Sequence, residues 1–140
     1  MKSVNGELRL RTTQRFEVIN ITQKISEFVK ANNLWHGILM VYVPHTTAAV
    51  TINEDERGLI NDIITIIKQV FKPDADWQHN LIDNNAHAHL ASSFIGNSRC
   101  LMVKDGELQL GTWQSVLFIE MDGPRDRRVD LMFLGDLRPS

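Results

Sequence analysis

Two segments of this chain, residues 35–43 and 113–121, are apolar at most positions of both alternations. Successive side chains of an extended strand point to opposite faces of its sheet, so a strand that is apolar at both sets of positions is typically covered on both sides. Both segments are far shorter than the ~20 residues that a membrane-spanning helix needs. They predict central strands that are buried on both faces.

The remaining pattern mixes strands with a few helices. Residues 8–11 and 16–18 alternate apolar with charged side chains, which is typical of a strand with one face exposed to solvent. Residues 59–71 carry apolar side chains at helical spacing, and residues 21–29 and 86–94 predict two shorter helices. Asp105-Gly106 predicts a hairpin turn. We therefore expect one domain over residues 1–140, of class α+β, with a mostly antiparallel β-sandwich and two or three helices.

The composition narrows the class of protein. The chain has 140 residues, 23% of them charged, and a net charge of -2, which argues against a nucleic-acid binder. No apolar stretch predicts a membrane span or a secretion signal. The single cysteine, Cys100, has no partner for a disulfide and is expected in the core. These features predict a cytoplasmic protein with no membrane association.

Four of the five histidines lie in two polar stretches that interrupt apolar elements. His45 follows a predicted strand, whereas His79, His87 and His89 lie in or after a long polar connection. Neutral imidazole is a common ligand for zinc-like metals, and three such groups can leave one coordination position open for chemistry. The alternative is that these are loop and surface histidines that bind nothing.

The helix predicted over residues 86–94 decides between the two later histidines. Residues two apart on a helix diverge, whereas Asn85 and His89 are separated by four and share a face. His89 is therefore the better candidate, and His87 is expected in solvent. His79 could approach from the preceding loop, and His36 is expected to be a satisfied core or edge histidine.

Other polar residues adjoin the same elements. Thr46 could donate to an anion or cap a local turn. Glu54 is either a general acid or base opposite His45, or a carboxylate placed favourably at a helix N-terminus with Asn53 as the cap. Arg125 and Arg127 follow the strand carrying Glu120 and Asp122, so they either form ion pairs or hold a phosphate.

Several motifs, taken in order, resemble the YjbQ-like family, which is described as a secondary thiamine-phosphate synthase enzyme family. They are Pro44-His45-Thr46-Thr47-Ala48-Ala49, Thr51-Ile52-Asn53-Glu54, the segment from His89 to Gly96, Gly111-Thr112-Trp113-Gln114, and Asp122-Gly123-Pro124-Arg125. Two departures are visible: this chain has Asn80 where members often carry Asp after the loop histidine, and residues 84–87 fall in a stretch that varies among members.

The resemblance implies a small sandwich that assembles as a homotrimer, with a site around His45, His79 and His89 where some members hold a zinc-like ion. The implied reaction joins a pyrimidine diphosphate to a thiazole phosphate and releases pyrophosphate. We therefore expect a small phosphorylated heterocyclic ligand and a divalent metal, zinc first and magnesium as the alternative. In this reading Glu54 and Arg125 are catalytic, and Thr46, Asn85, Gln114 and Arg127 bind substrate.

Two other hypotheses compete with the enzyme. In the first, the same histidines belong to a small-ligand or metal-binding module without physiological turnover. In the second, the chain is a structural trimer whose polar loops meet at subunit interfaces.

Overall fold

A computed structural model describes all residues from 1 to 140 and contains two antiparallel sheets and three α-helices. The elements in chain order are β1 (Lys2–Arg11), β2 (Glu17–Asn20), α1 (Thr22–Ala31), β3 (Leu34–Tyr42), β4 (Ala48–Asn53), α2 (Arg57–Val70), a 3₁₀ turn (Gln78–Leu81), α3 (Ala86–Ile95), β5 (Ser98–Lys104), β6 (Glu107–Leu108), β7 (Ser115–Glu120) and β8 (Asp126–Leu137). The large sheet has the order β1-β8-β3-β5-β6, and the small sheet has the order β2-β7-β4. The predicted α+β class with a mostly antiparallel sandwich is confirmed.

The two sheets enclose the main core. Leu39, Leu131 and Phe133 of the large sheet belong to the same buried cluster as Val50 and Phe118 of the small sheet. A second cluster lies on the other face of the small sheet, where Ala49 and Ile119 meet Ala88 and Ala91 of α3 and Ile67 of α2. The small sheet is therefore the middle layer, and β7 is buried on both faces as its sequence predicts.

The outer face of the large sheet has no covering layer within the chain. Ile38, Met40 and Tyr42 of β3 point to this face and are exposed, with Met132 and Met102 of the neighbouring strands. The prediction that β3 is buried on both faces is therefore wrong, because the helices pack on the small sheet and its side of the sandwich. Cys100 shares this correction, because it is exposed rather than buried. His36 is not in the core either: it is exposed near the start of β3, where its Nε2 lies 3.4 Å from Asp105 Oδ1.

The cap of the long helix differs from the predicted one. At the start of α1, the Asn20 side chain accepts a hydrogen bond from Thr22 N. The long helix α2 begins after Glu56, whose carboxylate accepts from Gly58 N and Leu59 N. Asn53, the predicted cap, accepts only from Glu54 N. The carboxylate of Glu56 is the better placed group for the helix N-terminus.

No helix in the chain has the length and apolar character needed to cross a membrane.

Candidate functional site

A cavity of about 500 Å³ opens where two loops cross between the sheets. One loop, residues 43–47, leads from β3 of the large sheet to β4 of the small sheet, and the other, residues 121–125, leads from β7 back to β8. The first turn of α3 lies beside them. The cavity wall includes six predicted site residues, His45, Thr46, Asn85, His89, Arg125 and Arg127.

A buried ion pair lies under this cavity. Glu120 ends β7, is fully buried and pairs with Arg127 of β8, whose Nε donates to Glu120 Oε1 at 2.8 Å. Met121 N and Asp122 N each donate to Glu120 Oε2 at 3.0 Å. Burial by itself raises the pKa of Glu120, but the hydrogen bonds from Arg127 and Asp122 outweigh burial and hold the pKa below its usual value. Glu120 is therefore ionised. The main role of Arg127 is structural, because its guanidinium group pairs with this buried carboxylate.

Two threonines complete the network. Thr12 at the end of β1 is fully buried, and its hydroxyl donates to Glu120 Oε1 at 2.8 Å while accepting from Arg125 N at 2.8 Å. Arg127 also donates through Nη2 to Thr47 Oγ1 at 2.9 Å. The two crossing loops are thus tied to one buried charge pair. Sequence reasoning missed Thr12, because a threonine at the end of an alternating strand carries no signal of a buried contact 108 residues away.

A second chain of hydrogen bonds begins in the cavity wall and ends at His79, which does not itself line the cavity. Arg125 Nη2 donates to Asp122 Oδ2 at 2.8 Å, and Asn85 Nδ2 donates to the same oxygen at 2.8 Å. The amide oxygen of Asn85 lies 3.0 Å from His79 Nε2. Because Asn85 uses its nitrogen on Asp122, its oxygen faces the ring, and His79 Nε2 carries the proton. Both polar atoms of the Asn85 amide are therefore engaged within the chain, and its main role is to orient the His79 ring.

His45 is held against the backbone of β8. Its Nε2 lies 3.0 Å from Arg128 N and 3.1 Å from Arg128 O, so it can accept from the first or donate to the second. Its Nδ1 has no hydrogen-bond partner in the chain. Burial lowers the pKa of His45, and the positive charge of Arg127 lowers it further. A neutral imidazole beside two arginines is compatible with an anionic ligand.

His89 is the histidine with the most freedom to bind. Its ring makes no hydrogen bond within the chain and meets the His79 ring edge to face, with the centroids 4.7 Å apart. Burial lowers the pKa of His89, and the neighbouring His79 lowers it further. His89 therefore faces the cavity in its neutral form, ready to accept or donate a proton.

His87 does not lie in solvent as predicted. It is fully buried on the opposite side of α3, where its Nε2 lies 3.1 Å from Met121 O and its ring contacts Phe16. Ala88 and Ala91 pack against the small sheet, and their small side chains allow this side of α3 to lie close to it. His87 is on the same side and is therefore buried. Its Nδ1 has no partner. Burial lowers the pKa of His87, so the ring is neutral.

The donor atoms suit a metal in kind but not in arrangement. His45 and His79 each engage Nε2 with an oxygen or backbone amide, a second-sphere pattern common among zinc-binding histidines. No three His, Cys, Asp or Glu side chains of the chain converge on one point, however. Magnesium prefers oxygen ligands, and Asp122, the carboxylate in the cavity wall, is already shared by Arg125 and Asn85.

Glu54 and Gln114 do not reach this cavity. Asn53, just before Glu54, pairs with Ser115, just after Gln114, at the far end of the small sheet. The six residues of β4 separate that end from the cavity by about 20 Å at ~3.3 Å per residue. Gln114 Oε1 accepts from Gly111 N. Their predicted roles would need a second subunit to bring this end to a neighbouring cavity.

Comparison with known proteins gives consistent matches. The family model described as "UPF0047 protein YjbQ-like" matches residues 6–136. A UPF0047 protein from Archaeoglobus fulgidus is 45% identical over 123 residues, covering 88% of this chain and 95% of the relative. One from Methanothermobacter thermautotrophicus is 42% identical over 135 residues, covering 96% and 94%.

Solved structures match as closely. A hypothetical protein from Aeropyrum pernix superposes with a TM-score of 0.93 at 48% identity, covering 95% of this chain and 99% of that one. A protein from Sulfolobus solfataricus, described as YbjQ-like and of unknown function, gives a TM-score of 0.94 at 41% identity, covering 96% and 99%.

Breaking the buried ion pair should destabilise the protein much more than breaking an exposed ion pair. Replacing Glu120 by Gln leaves Arg127 buried without a counter-charge and should lower the free energy of unfolding by about 3–5 kcal/mol. The exposed pair of Arg11 with Asp126 supplies the control, because Asp126→Asn should cost less than about 1 kcal/mol. Urea denaturation measures both. Equal losses in the two variants would contradict the assignment.

The three neutral histidines predict a loss of stability in mild acid. His45, His87 and His89 have pKa values below the usual 6.5. Between pH 7 and 5 the unfolded chain therefore binds more protons than the folded chain. Stability should therefore fall as the pH falls, with fully buried His87 contributing at most about 1.4 kcal/mol per pH unit. Unfolding free energies at pH 5 to 7.5 test this. His87→Gln should flatten the dependence, and a flat wild-type profile would refute it.

Proposed function

The chain belongs to the YjbQ-like UPF0047 family, and we propose that it is an enzyme acting on a small phosphorylated heterocyclic substrate. One observation supports this most: a single polar cavity brings together residues that are distant in the sequence, namely two neutral histidines, two arginines, a threonine and an asparagine (His45, His89, Arg125, Arg127, Thr46 and Asn85). Guanidinium groups suit phosphate oxygens, and neutral imidazole suits proton transfer near pH 7.

The proposed reaction is of the thiamine-phosphate synthase type. The carbon–oxygen bond to the diphosphate breaks with its electron pair leaving on pyrophosphate, and a ring nitrogen of the thiazole phosphate forms the new carbon–nitrogen bond. Such a reaction needs stabilisation of the leaving diphosphate more than covalent help from the protein. Arg125, whose side chain is half exposed, would hold the diphosphate, with Thr46 and Arg127 as further donors.

While no metal is bound, His89 takes the role of acid or base within a single chain, because Glu54 lies at the other end of the small sheet. Gln114 shares that location. Both keep their predicted roles only if the assembly brings them to another subunit's cavity.

A binding module without physiological turnover is the second candidate, and a specific observation favours it. Both arginines of the cavity are already paired, Arg125 with Asp122 and Arg127 with Glu120. The excess positive charge available to a leaving diphosphate is correspondingly small. A site of this kind can bind a phosphorylated ligand without strongly stabilising the charge that develops in a reaction.

Arginine substitution tests the site. Arg125→Met should lower kcat/KM for joining the pyrimidine diphosphate to the thiazole phosphate at least tenfold, because the diphosphate loses a charged donor. Arg9→Met is the matched control, since Arg9 is exposed and pairs only with Glu7. Steady-state release of pyrophosphate is the measurement. An Arg125→Met enzyme as active as the control would contradict the proposal.

Turnover distinguishes the two candidates. Wild-type turnover within the usual range for enzymes, ~1 s⁻¹ or above, supports the enzyme. Turnover far below this value, with tight calorimetric binding of the same substrates that Arg125→Met abolishes, would support the binding module instead.

We extend the proposal to a divalent metal, with zinc ahead of magnesium. Elemental analysis of the tag-free protein after incubation with zinc should find metal that His89→Ala loses, because His89 has free ring nitrogens and adjoins His79. His36→Ala is the control, since His36 is exposed at the other end of β3. Absence of zinc from the wild type, or its retention by His89→Ala, would remove the metal from the account.

A homotrimer in the cytoplasm completes the proposal. The bare apolar face of the large sheet supports self-association, and the single cysteine fits a reducing compartment. Light scattering should give three times the chain mass of 16.0 kDa. Met40→Lys on this face should reduce that mass, whereas Ile66→Lys on exposed α2 should not. A wild-type monomer would contradict the trimer.

A further inference from the structure

A second depression, which we call the ring pocket, adjoins the polar cavity. It has a volume of about 470 Å³ and is lined by Trp77, Gln78, His79, Ala86, His89 and Leu90. Ala86, His89 and Leu90 share one face of α3, because residues three and four apart lie on the same side of a helix. Trp77 and the 3₁₀ turn form the opposite wall.

The walls of the ring pocket are fixed by hydrogen bonds. Trp77 Nε1 donates to Lys72 O at 2.8 Å, which sets the plane of the indole. Asn80 Nδ2 donates to Ala75 O at 3.0 Å, and its oxygen accepts from Ala86 N at 3.2 Å, so the connection is tied to the start of α3. The aromatic surfaces are therefore in place before a ligand binds, which reduces the entropy lost on binding.

The ring pocket and the polar cavity share a wall. His89 lines both depressions. A chain of hydrogen bonds also links Arg125 of the polar cavity, through Asp122 and Asn85, to His79 of the ring pocket. One depression offers arginines, and the other offers an indole, two imidazole rings and a leucine, with no Lys, Arg, Asp or Glu in its lining. A ligand that spans both would be anionic at one end and planar, aromatic and uncharged at the other.

We propose that the ring pocket binds the planar aromatic ring of a ligand whose phosphate group lies at Arg125. The inference rests on the proposed function, because it takes the phosphate end of the ligand to be held in the polar cavity. It adds a specificity element that the polar cavity lacks. Trp77 and Leu90 contact the ring, so they select aromatic over aliphatic phosphates.

Two probes that differ only in the ring test the inference. Isothermal titration calorimetry with methyl phosphate and with benzyl phosphate should show tighter binding of benzyl phosphate by the wild type, by about tenfold. Leu90→Ala should reduce that preference at least threefold and leave methyl phosphate affinity unchanged. Leu81→Ala is the matched control, because Leu81 is in the same connection but 89% exposed and outside the ring pocket.

Trp77 gives a second, independent variant. Trp77→Ala should abolish the benzyl preference, and Trp77→Phe should retain part of it, because a phenyl ring keeps an aromatic surface without the bond to Lys72 O. Far-ultraviolet circular dichroism confirms that each variant is folded. Should Trp77→Ala not fold, Leu90→Ala with its control decides the question alone.

The outcomes separate this inference from the proposed function. Equal affinities of the two phosphates for the wild type, or a preference that neither Leu90→Ala nor Trp77→Phe changes, would overturn the ring pocket alone. Failure of both probes to bind would overturn the phosphate site and the ring pocket with it. A preference lost in Leu90→Ala and kept in Leu81→Ala supports the inference.

Discussion

The buried ion pair of Glu120 and Arg127 connects β7 of the small sheet to β8 of the large sheet. It lies where the chain passes between the two sheets, at the loops before β4 and before β8. A buried carboxylate and guanidinium are costly to desolvate, and the cost is offset only when every polar atom is engaged. Here the backbone of residues 121–122 and the side chains of Thr12 and Thr47 provide those contacts. The ends of β1 and β7, the start of β8 and the loop before β4 therefore meet at one point. The polar cavity has its shape because these segments cannot separate without exposing an unpaired charge.

Much of the fold was accessible from the sequence, because its strongest patterns are local. The helical spacing of residues 59–71 became α2, the Asp105-Gly106 turn joins β5 to β6, and β7 is buried on both faces. The errors concern burial set by distant packing. β3 has the apolar content of a fully covered strand, but its outer face has no covering layer in this chain. His87 and His89 are two residues apart in one helix, yet small alanines decide which of them enters the core.

The site was predicted in part for a similar reason. His45, His89, Arg125 and Arg127 stand out by residue type, and the fold places all four around one cavity. Thr12 and the positioning role of Asn85 follow from contacts between residues far apart in the chain, which no local pattern encodes. Glu54 and Gln114 show the opposite limit. Their motifs resemble the family, yet their location at the far end of the small sheet makes any shared site a question of assembly.

Nuclear magnetic resonance of the histidine rings, during a titration with inorganic pyrophosphate, tests the central claim most directly. If the crossing loops form an anion site, the ring resonances of His45 and His89 should shift and saturate together. Those of His36, at the opposite end of β3, should stay unchanged. Saturable shifts confined to His36, or no saturable shift at any ring, would contradict an anion site in this cavity.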